Sequence, residues 1–293
     1  MSLLDTIGGA QEFATLPAVA SRVLALLEND NADLREITQV IETDVSLTLK
    51  ILQMANSPLY AVRSSVTSLN QAVLALGLNR ISNIVLSVSI FSKFMVLSHG
   101  KSTQFMDKFW HHSSSTGMVA KSLASKIKRS FRDVEFIAGL LHDIGKMAMI
   151  QFDPNRYEQS LQLITDKNLS DLEAEIEIFG VDHQTTGELI ARLWKLPKEI
   201  QTIVGHHHHP EELSDLRELT SVVRIADLLC ELWGAGIGEK IDEINIVELP
   251  AWQVLCESIP ALKTLDIEIF TFELEEEFNR ATSFLKLVTQ DAN

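Results

Sequence analysis

The sequence predicts an all-α protein, and three observations carry that prediction. Apolar residues recur at the three- and four-residue spacing of a helix, capping residues stand in front of those runs, and β-branched residues rarely alternate with polar ones. With 293 residues, 46% of them hydrophobic, the chain can bury a large core as one big domain or two.

The elements follow in order. After Leu16-Pro17 a first helix carries Val19, Val23, Leu26 and Leu27 on one face and stops at Asn29-Asp30-Asn31. Asp33 with Glu36 forms a capping box for a second, with Leu34, Ile37, Val40 and Ile41 inward. Asp44 caps a third, with Leu47, Ile51 and Met54 inward, ending at Asn56-Ser57-Pro58. Ser68 and Gln71 form another capping box before a short helix that closes at Gly77, where a left-handed cap is favoured. A long apolar helix then runs from about Arg80 to Val96. The short helix, Gly77 and the following helix invite a helix-turn-helix reading, but Ile81 to Phe91 is apolar nearly all round, which marks a core helix with no polar face for a groove.

Ser98-His99-Gly100-Lys101-Ser102 is the best linker candidate. Beyond it Phe109-Trp110-His111-His112-Ser113 opens a helix through Val119, Leu123 and Ile127, followed by a basic patch at Lys126, Lys128, Arg129 and Arg132 that reads as a solvated helix end. Phe136, Ile137, Leu140 and Leu141 then form a buried helical face leading into His142-Asp143-Ile144-Gly145-Lys146. A helical hairpin follows (Tyr157 to Ile164, Leu172 to Phe179), and Gly180-Val181-Asp182-His183 leads into the next helix. There Gly187, one turn after His183, leaves room for close approach of another helix or an ion. Pro197 restarts a helix that reaches Gly205-His206-His207-His208-His209-Pro210, and Val222, Val223, Ile225 and Ala226 bring a buried helix to Asp227.

The formal net charge is −15, of which residues 201–293 hold −12. No basic face is evident, so direct nucleic-acid binding is disfavoured. Cys230 and Cys256 lie in apolar helical surroundings without CxxC spacing and read as buried free thiols. Met1 to Thr15 shows no basic leader, and no segment approaches 18 uncharged apolar residues, so the expectation is a soluble cytoplasmic protein without a membrane partner.

The chemistry-bearing residues are His112, His142, Asp143, His183, His207, His208 and Asp227, each on or at the end of an amphipathic helix. Their separations of 30, 41, 24 and 19 to 20 residues suit successive helices returning to one point. A buried His-Asp pair needs a partner: a structural hydrogen bond is one answer, a cation another. These imidazole and carboxylate groups exceed the four ligands of one tetrahedral zinc, so two divalent transition metals (iron, manganese or zinc) bridged by Asp143 is the natural arrangement. Such a pair can supply hydroxide at neutral pH and clamp a phosphate ester, with Lys146 one turn away to neutralise a phosphoryl oxygen, which makes Asp143 and Lys146 the candidate catalytic residues. Within the four-histidine run the register stays open, with His206 or His209 as substitutes. His111 and His99 read as surface residues.

This pattern resembles the HD superfamily of metal-dependent phosphohydrolases, whose ligands follow the order His, His-Asp, His, His, Asp. Leu16-Pro17, Asp44 with Leu47, Ala55-Asn56-Ser57, Leu76-Gly77-Leu78, Trp110-His111-His112-Ser113, Gly180-Val181-Asp182-His183 and His207-His208-His209-Pro210 are similar to the HDOD domain, a bacterial relative of HD-GYP proteins, over about residues 10 to 235. The resemblance implies an amino-terminal helical part (1–98) packed on an HD-like metal-binding domain (99–235), followed by an acidic helical extension (236–293). It implies a signal-transduction module whose partners are signalling proteins and a phosphorylated small molecule or nucleotide. Its site would bind that ligand or hydrolyse it as a metal-dependent phosphohydrolase. The Gly-Tyr-Pro loop of cyclic di-GMP-cleaving relatives is replaced by Pro210-Glu211-Glu212-Leu213-Ser214-Asp215, which argues against that substrate. Lys108, four residues before His112, stands where some trimetal relatives place a glutamate, which argues against a third metal. A non-catalytic scaffold, docking partners through the tail around Phe270 to Leu287, is the remaining alternative.

Overall fold

The computed structural model describes residues 2–9, 16–27, 34–56, 65–97, 101–238 and 241–290, with side chains excepted at 27, 91, 94–97, 101 and 280–290. Among the described residues there is no strand; the chain is all-α. The stop at Asn29 to Asn31, the capping box that needs Asp33, the turn at Ser57-Pro58, the linker at Ser98 to Gly100 and the tail side chains from 280 onward lie outside what is described. The chain divides into two compact units, residues 16–96 with 280–293, and residues 1–15 with 97–279.

The first of these units contains helices α2 (Ala18–Leu27), α3 (Leu34–Glu42), α4 (Val45–Ala55), α5 (Leu69–Leu76) and α6 (Leu78–Leu97). Asp44 caps α4 by accepting from the Leu47 amide at 3.0 Å, and Leu47, Ile51 and Met54 face inward. Asn56 clamps the chain ahead of α5: its amide donates to the Val66 carbonyl and accepts from the Val66 N–H, both at 2.7 Å. Ser68 accepts from the Gln71 amide, while Gln71 reaches back to Thr67 instead of completing a box on Ser68. Gly77 adopts φ 83°, which glycine alone adopts freely, and lets α6 turn through 119° from α5. Ile81, Ile84 and Val85 of α6 are buried, and its buried Ser82 and Ser87 return their hydroxyls to backbone carbonyls, so this is a core helix. One expected core position is exposed: Leu34, at the first turn of α3.

The second unit holds α1 (Leu3–Gly9), α7 (Lys101–Lys126), α8 (Val134–Leu141), α9 (Ile144–Phe152), α10 (Pro154–Lys167), α11 (Asp171–Phe179), α12 (His183–Leu193), α13 (Lys198–His206), α14 (Arg217–Cys230), α15 (Pro250–Ser258) and the start of α16 (Ile267–Gln290). Helix α7 starts at Lys101, well before Phe109, and takes in the last two residues of the linker candidate; Phe105 and Met106, one turn before Phe109 and Trp110, extend its apolar face. Two glycine crossings set how close these helices come. A Cβ on Gly139 of α8 would lie 2.8 Å from the Gly117 Cα of α7, so the backbones touch there. A Cβ on Gly145 would lie 2.0 Å from the His183 carbonyl oxygen and 2.9 Å from the Gly187 nitrogen, so α9 and α12 meet backbone to backbone. The room at Gly187 is filled by Val204 of α13, 2.7 Å from a Cβ placed there, and by Gly145 and Ile144 of α9.

Residues 246–278 pack into the same hydrophobic cluster as α7 and α14: Trp252, Leu255, Phe270 and Leu274 lie against Leu123, Val222 and Leu229. Their burial removes several large apolar side chains from water, each worth roughly 1.5–3 kcal/mol. The basic end of α7 is neutralised at its surface, Arg129 donating twice to Glu218 at 2.8 and 3.2 Å and Lys126 pairing with Glu273.

The α9–α12 crossing yields a stability prediction. Gly145→Ala should lower the free energy of unfolding by about 1–3 kcal/mol or more, since the intruding methyl meets backbone that cannot rotate away. Gly8→Ala, where a Cβ meets nothing within 4 Å, should leave it unchanged or slightly raised. Denaturant midpoints of the two variants would check this, and equal midpoints would contradict it.

Candidate metal centre

Each donor is delivered by a helix or a helix end. His112 sits on the inner face of α7. His142 and Asp143 fill the break between α8 and α9, and Asp143 occupies the N-cap position of α9 without capping it, its carboxylate turned elsewhere. The αL residue Gly180 ends α11, and Asp182 then caps α12 by accepting from the Thr185 amide at 2.7 Å, which makes His183 the first residue of that helix. His207 and His208 follow the last turn of α13, and Asp227 lies on the buried face of α14.

Two groups of donors result. His112, His142, Asp143 and Asp227 form one, and His183, His207 and His208 the other. Asp143 joins them. Its Oδ2 lies 3.4 and 3.5 Å from the Nε2 atoms of His112 and His142, and its Oδ1 lies 3.3 and 3.5 Å from those of His183 and His207. Asp227 Oδ1 is 3.2 and 3.3 Å from His112 and His142. The imidazoles also face one another, Nε2 to Nε2, at 3.1 Å for His112–His142, 3.3 Å for His183–His207 and 3.1 Å for His183–His208.

The outer nitrogens decide what the inner ones carry. His142 Nδ1 donates to the Gly139 carbonyl at 2.7 Å and His207 Nδ1 to the Val204 carbonyl at 3.1 Å. A carbonyl only accepts, so the Nδ1 proton is fixed and, in the neutral ring, Nε2 presents a lone pair. His183 Nδ1 donates to Glu175 Oε2 at 2.7 Å with the same result, and Glu175 also takes the His183 backbone N–H at 2.7 Å. Lone pairs therefore point at lone pairs and at carboxylate oxygens. Both oxygens of Asp143 and Oδ1 of Asp227 are buried without a hydrogen bond. Ligand atoms about 2.1 Å from one zinc-sized ion lie roughly 3.0–3.5 Å apart, the spacing seen here. The residues fit a divalent cation, and the outer hydrogen bonds are the kind that orient histidine ligands.

Without a cation, protons compensate. Burial opposes charge on His112, but Asp143 and Asp227 beside it outweigh that and push its pKa up to about 10. Burial likewise opposes charge on His183, and Glu175 overcomes it, raising the imidazole to about 9, while burial pushes Glu175 itself up. Burial pulls His207 down to about 4 and takes His208 well below its usual value, so both are neutral donors at pH 7. Burial also opposes the charge on Asp143, yet His142, Lys146 and His183 hold it well below the carboxylate range.

All seven donors read from the sequence thus gather at one place. Lys146 is there too, 1% exposed, with its ammonium 3.1 Å from both Asp143 Oδ2 and Asp171 Oδ2. It is bound between two carboxylates, which makes it a counter-charge within the centre. In the histidine run, His206 turns out to bond the Thr202 carbonyl and His209 pairs with Glu211, both exposed, while His207 and His208 point inward. His111 lies outside the centre against Phe278. Three members escaped the sequence reading. Glu175 and Asp171 look like ordinary charges on the acidic helix α11, and Arg224, donating to Asp227 Oδ2 at 2.7 Å, looks like a surface residue. The one available signal was a charged residue inside the apolar run Val222 to Ala226.

Comparison with known proteins adds a family. The HDOD domain model matches residues 13–210, a stretch that stops short of Asp227. An uncharacterized protein of Treponema pallidum is 25% identical over 228 residues, covering 75% of this chain but only 43% of its own length. An HDOD domain protein of unknown function from Geobacter sulfurreducens superposes with a TM-score of 0.82 at 24% identity, covering 98% of this chain and 97% of its own. A candidate phosphohydrolase from Shewanella amazonensis superposes with a TM-score of 0.71 at 18% identity over 98% and 97%. These solved structures share the fold.

Two predictions follow from the geometry. The imidazolium forms of His112 and His183 stabilise the metal-free fold fully below the unfolded pKa of about 6.5, and that contribution is lost as pH rises through 9 to 10. Melting temperature in chelator should therefore drop between pH 6.5 and 9, and added manganese or zinc should remove most of the drop by replacing those protons. A pH-flat melt in chelator would contradict this. Glu175→Gln should keep the fold but weaken metal affinity by about 10- to 100-fold, measured by competition with a chromophoric chelator, because His183 loses the carboxylate that orients it.

Proposed function

The chain belongs to the HDOD domain family, and from that premise we propose that it is a bacterial signal-transduction module whose divalent-metal centre binds a phosphorylated small molecule or nucleotide. One observation carries the reading: imidazole lone pairs and carboxylate oxygens from separate helices converge, buried, at the spacing of ligands around a cation. His112, His142, Asp143 and Asp227 would hold one ion, and His183, His207 and His208 with the other oxygen of Asp143 would hold a second; iron, manganese and zinc suit this mixture of nitrogen and oxygen donors. Such ions, when bound, supply Lewis acidity toward phosphoryl oxygens and acidify water. The chain's own residues do the remainder. Glu175 holds the His183 ring by its Nδ1 proton, Gly139 and Val204 do the same for His142 and His207, and Lys146 offsets charge on Asp143 and Asp171.

A second reading, a competent phosphohydrolase, is favoured by the division of the two Asp143 oxygens between the two donor groups, which would let two ions sit side by side as in-line displacement at a two-metal site uses them. Partner proteins of the signalling type belong to either reading.

The test begins with metal content. Purified protein should hold one to two equivalents of metal per chain, and Asp143→Ala should lose most of it. Phosphate release from a panel of nucleotides and simple phosphodiesters, abolished in Asp143→Ala, would establish the enzyme; saturable nucleotide binding without release would establish the module. Absence of stoichiometric metal after reconstitution with iron, manganese and zinc would sink both.

A further inference from the structure

The donors themselves are almost sealed from solvent: side-chain exposure is 1% for His112 and Asp143, 0% for His142, His183 and His207, and 3% for Asp227. Three side chains at the same centre do reach it, His208 at 9%, Asp171 at 13% and Arg224 at 19%. A ligand arriving from water meets these first. Asp171 repels an anion, and its carboxylate is already engaged by Lys146 at 3.1 Å. His208 lies 3.6 Å from Asp171. Of these three side chains Arg224 is the one permanent cation, and Lys146 is sealed beneath them at 2% side-chain exposure.

The geometry of Arg224 suits it to a phosphoryl group. One N–H of its guanidinium donates to Asp227 Oδ2 at 2.7 Å, which fixes the plane of the fork; its other N–H groups make no hydrogen bond to a described residue. A guanidinium held through one N–H, with Asp171 and Glu231 as its other charge neighbours, keeps paired donors at the spacing of two phosphoryl oxygens. Charge balance points the same way. Asp143, Asp171, Glu175 and Asp227 face Lys146 and Arg224 there, and two divalent cations added to that set would leave the centre net positive and attractive to phosphate.

We infer that Arg224 is a phosphoryl-binding residue, gripping non-bridging oxygens of the ligand's phosphate at the solvent-facing side of the centre through the N–H groups that Asp227 leaves open. This rests on the metal-centre reading above and assigns the group that selects phosphate among anions. The role predicts selectivity for a tetrahedral oxyanion over chloride and a strong penalty when the planar fork is lost.

The experiment uses full-length protein loaded with manganese, titrated calorimetrically with micromolar inorganic phosphate, with metal content and melting temperature measured on the same samples. Arg224→Gln keeps a donor for Asp227 but removes the charge, and Arg224→Lys keeps the charge but removes the fork. Expected is a phosphate Kd raised on the order of ten- to a hundredfold in Arg224→Gln and by a smaller factor in Arg224→Lys, with wild-type metal content in both. An unchanged phosphate Kd in Arg224→Gln overturns the inference. So does loss of metal in both variants, which would give Arg224 only the task of holding Asp227. Wild-type protein that takes up manganese but no phosphate overturns the inference and leaves the metal centre standing; wild-type protein that takes up no metal overturns the reading beneath it.

Discussion

The interaction on which the rest depends is the burial of Asp143 among imidazoles. A carboxylate sealed from water is among the most costly things a fold can contain, and neutral imidazole nitrogens at 3.3–3.5 Å with lone pairs toward it do not relieve that cost. Either protons or cations must enter. The surrounding structure is arranged so that whichever enters meets fixed donors: Gly139 and Val204 carbonyls and Glu175 hold three of the rings by the far nitrogen. The same logic accounts for Lys146, a lysine almost without solvent contact, lodged between Asp143 and Asp171.

Positioning comes from backbone contact as much as from side chains. Gly145 lies two residues after Asp143 and rests on the carbonyl of His183, so the crossing of α9 and α12 sets the distance between the bridging carboxylate and the second donor group. Gly117 and Gly139 do the equivalent for α7 and α8, which carry His112 and lead into His142. Behind them, Trp252, Leu255, Phe270 and Leu274 pack on α7 and α14 and keep His112 and Asp227 facing each other.

Much of this was legible in the sequence. The helical class, the cap at Asp44, the close approach at Gly187 and the seven donors all follow from spacing, because helix faces are periodic and a polar residue on a buried face is conspicuous. The orienting groups were not legible. Asp171, Glu173, Glu175 and Glu177 form an unbroken acidic pattern along α11, and only tertiary packing separates the buried Glu175 from the exposed Glu177. The four-histidine run could not be read for register, since the choice of His207 and His208 depends on where α13 ends, and helix ends are decided by a residue or two. Leu34 shows the converse: apolar character alone did not place it inside.

The packing of residues 246–278 has a consequence for how this protein is to be divided. The match to the HDOD domain model ends at 210, yet the aspartate that completes the first donor group, and the wall of large apolar side chains supporting its helix, come afterwards. A fragment cut at the end of that match would keep most of the histidines while discarding Asp227 and the apolar wall that supports its helix.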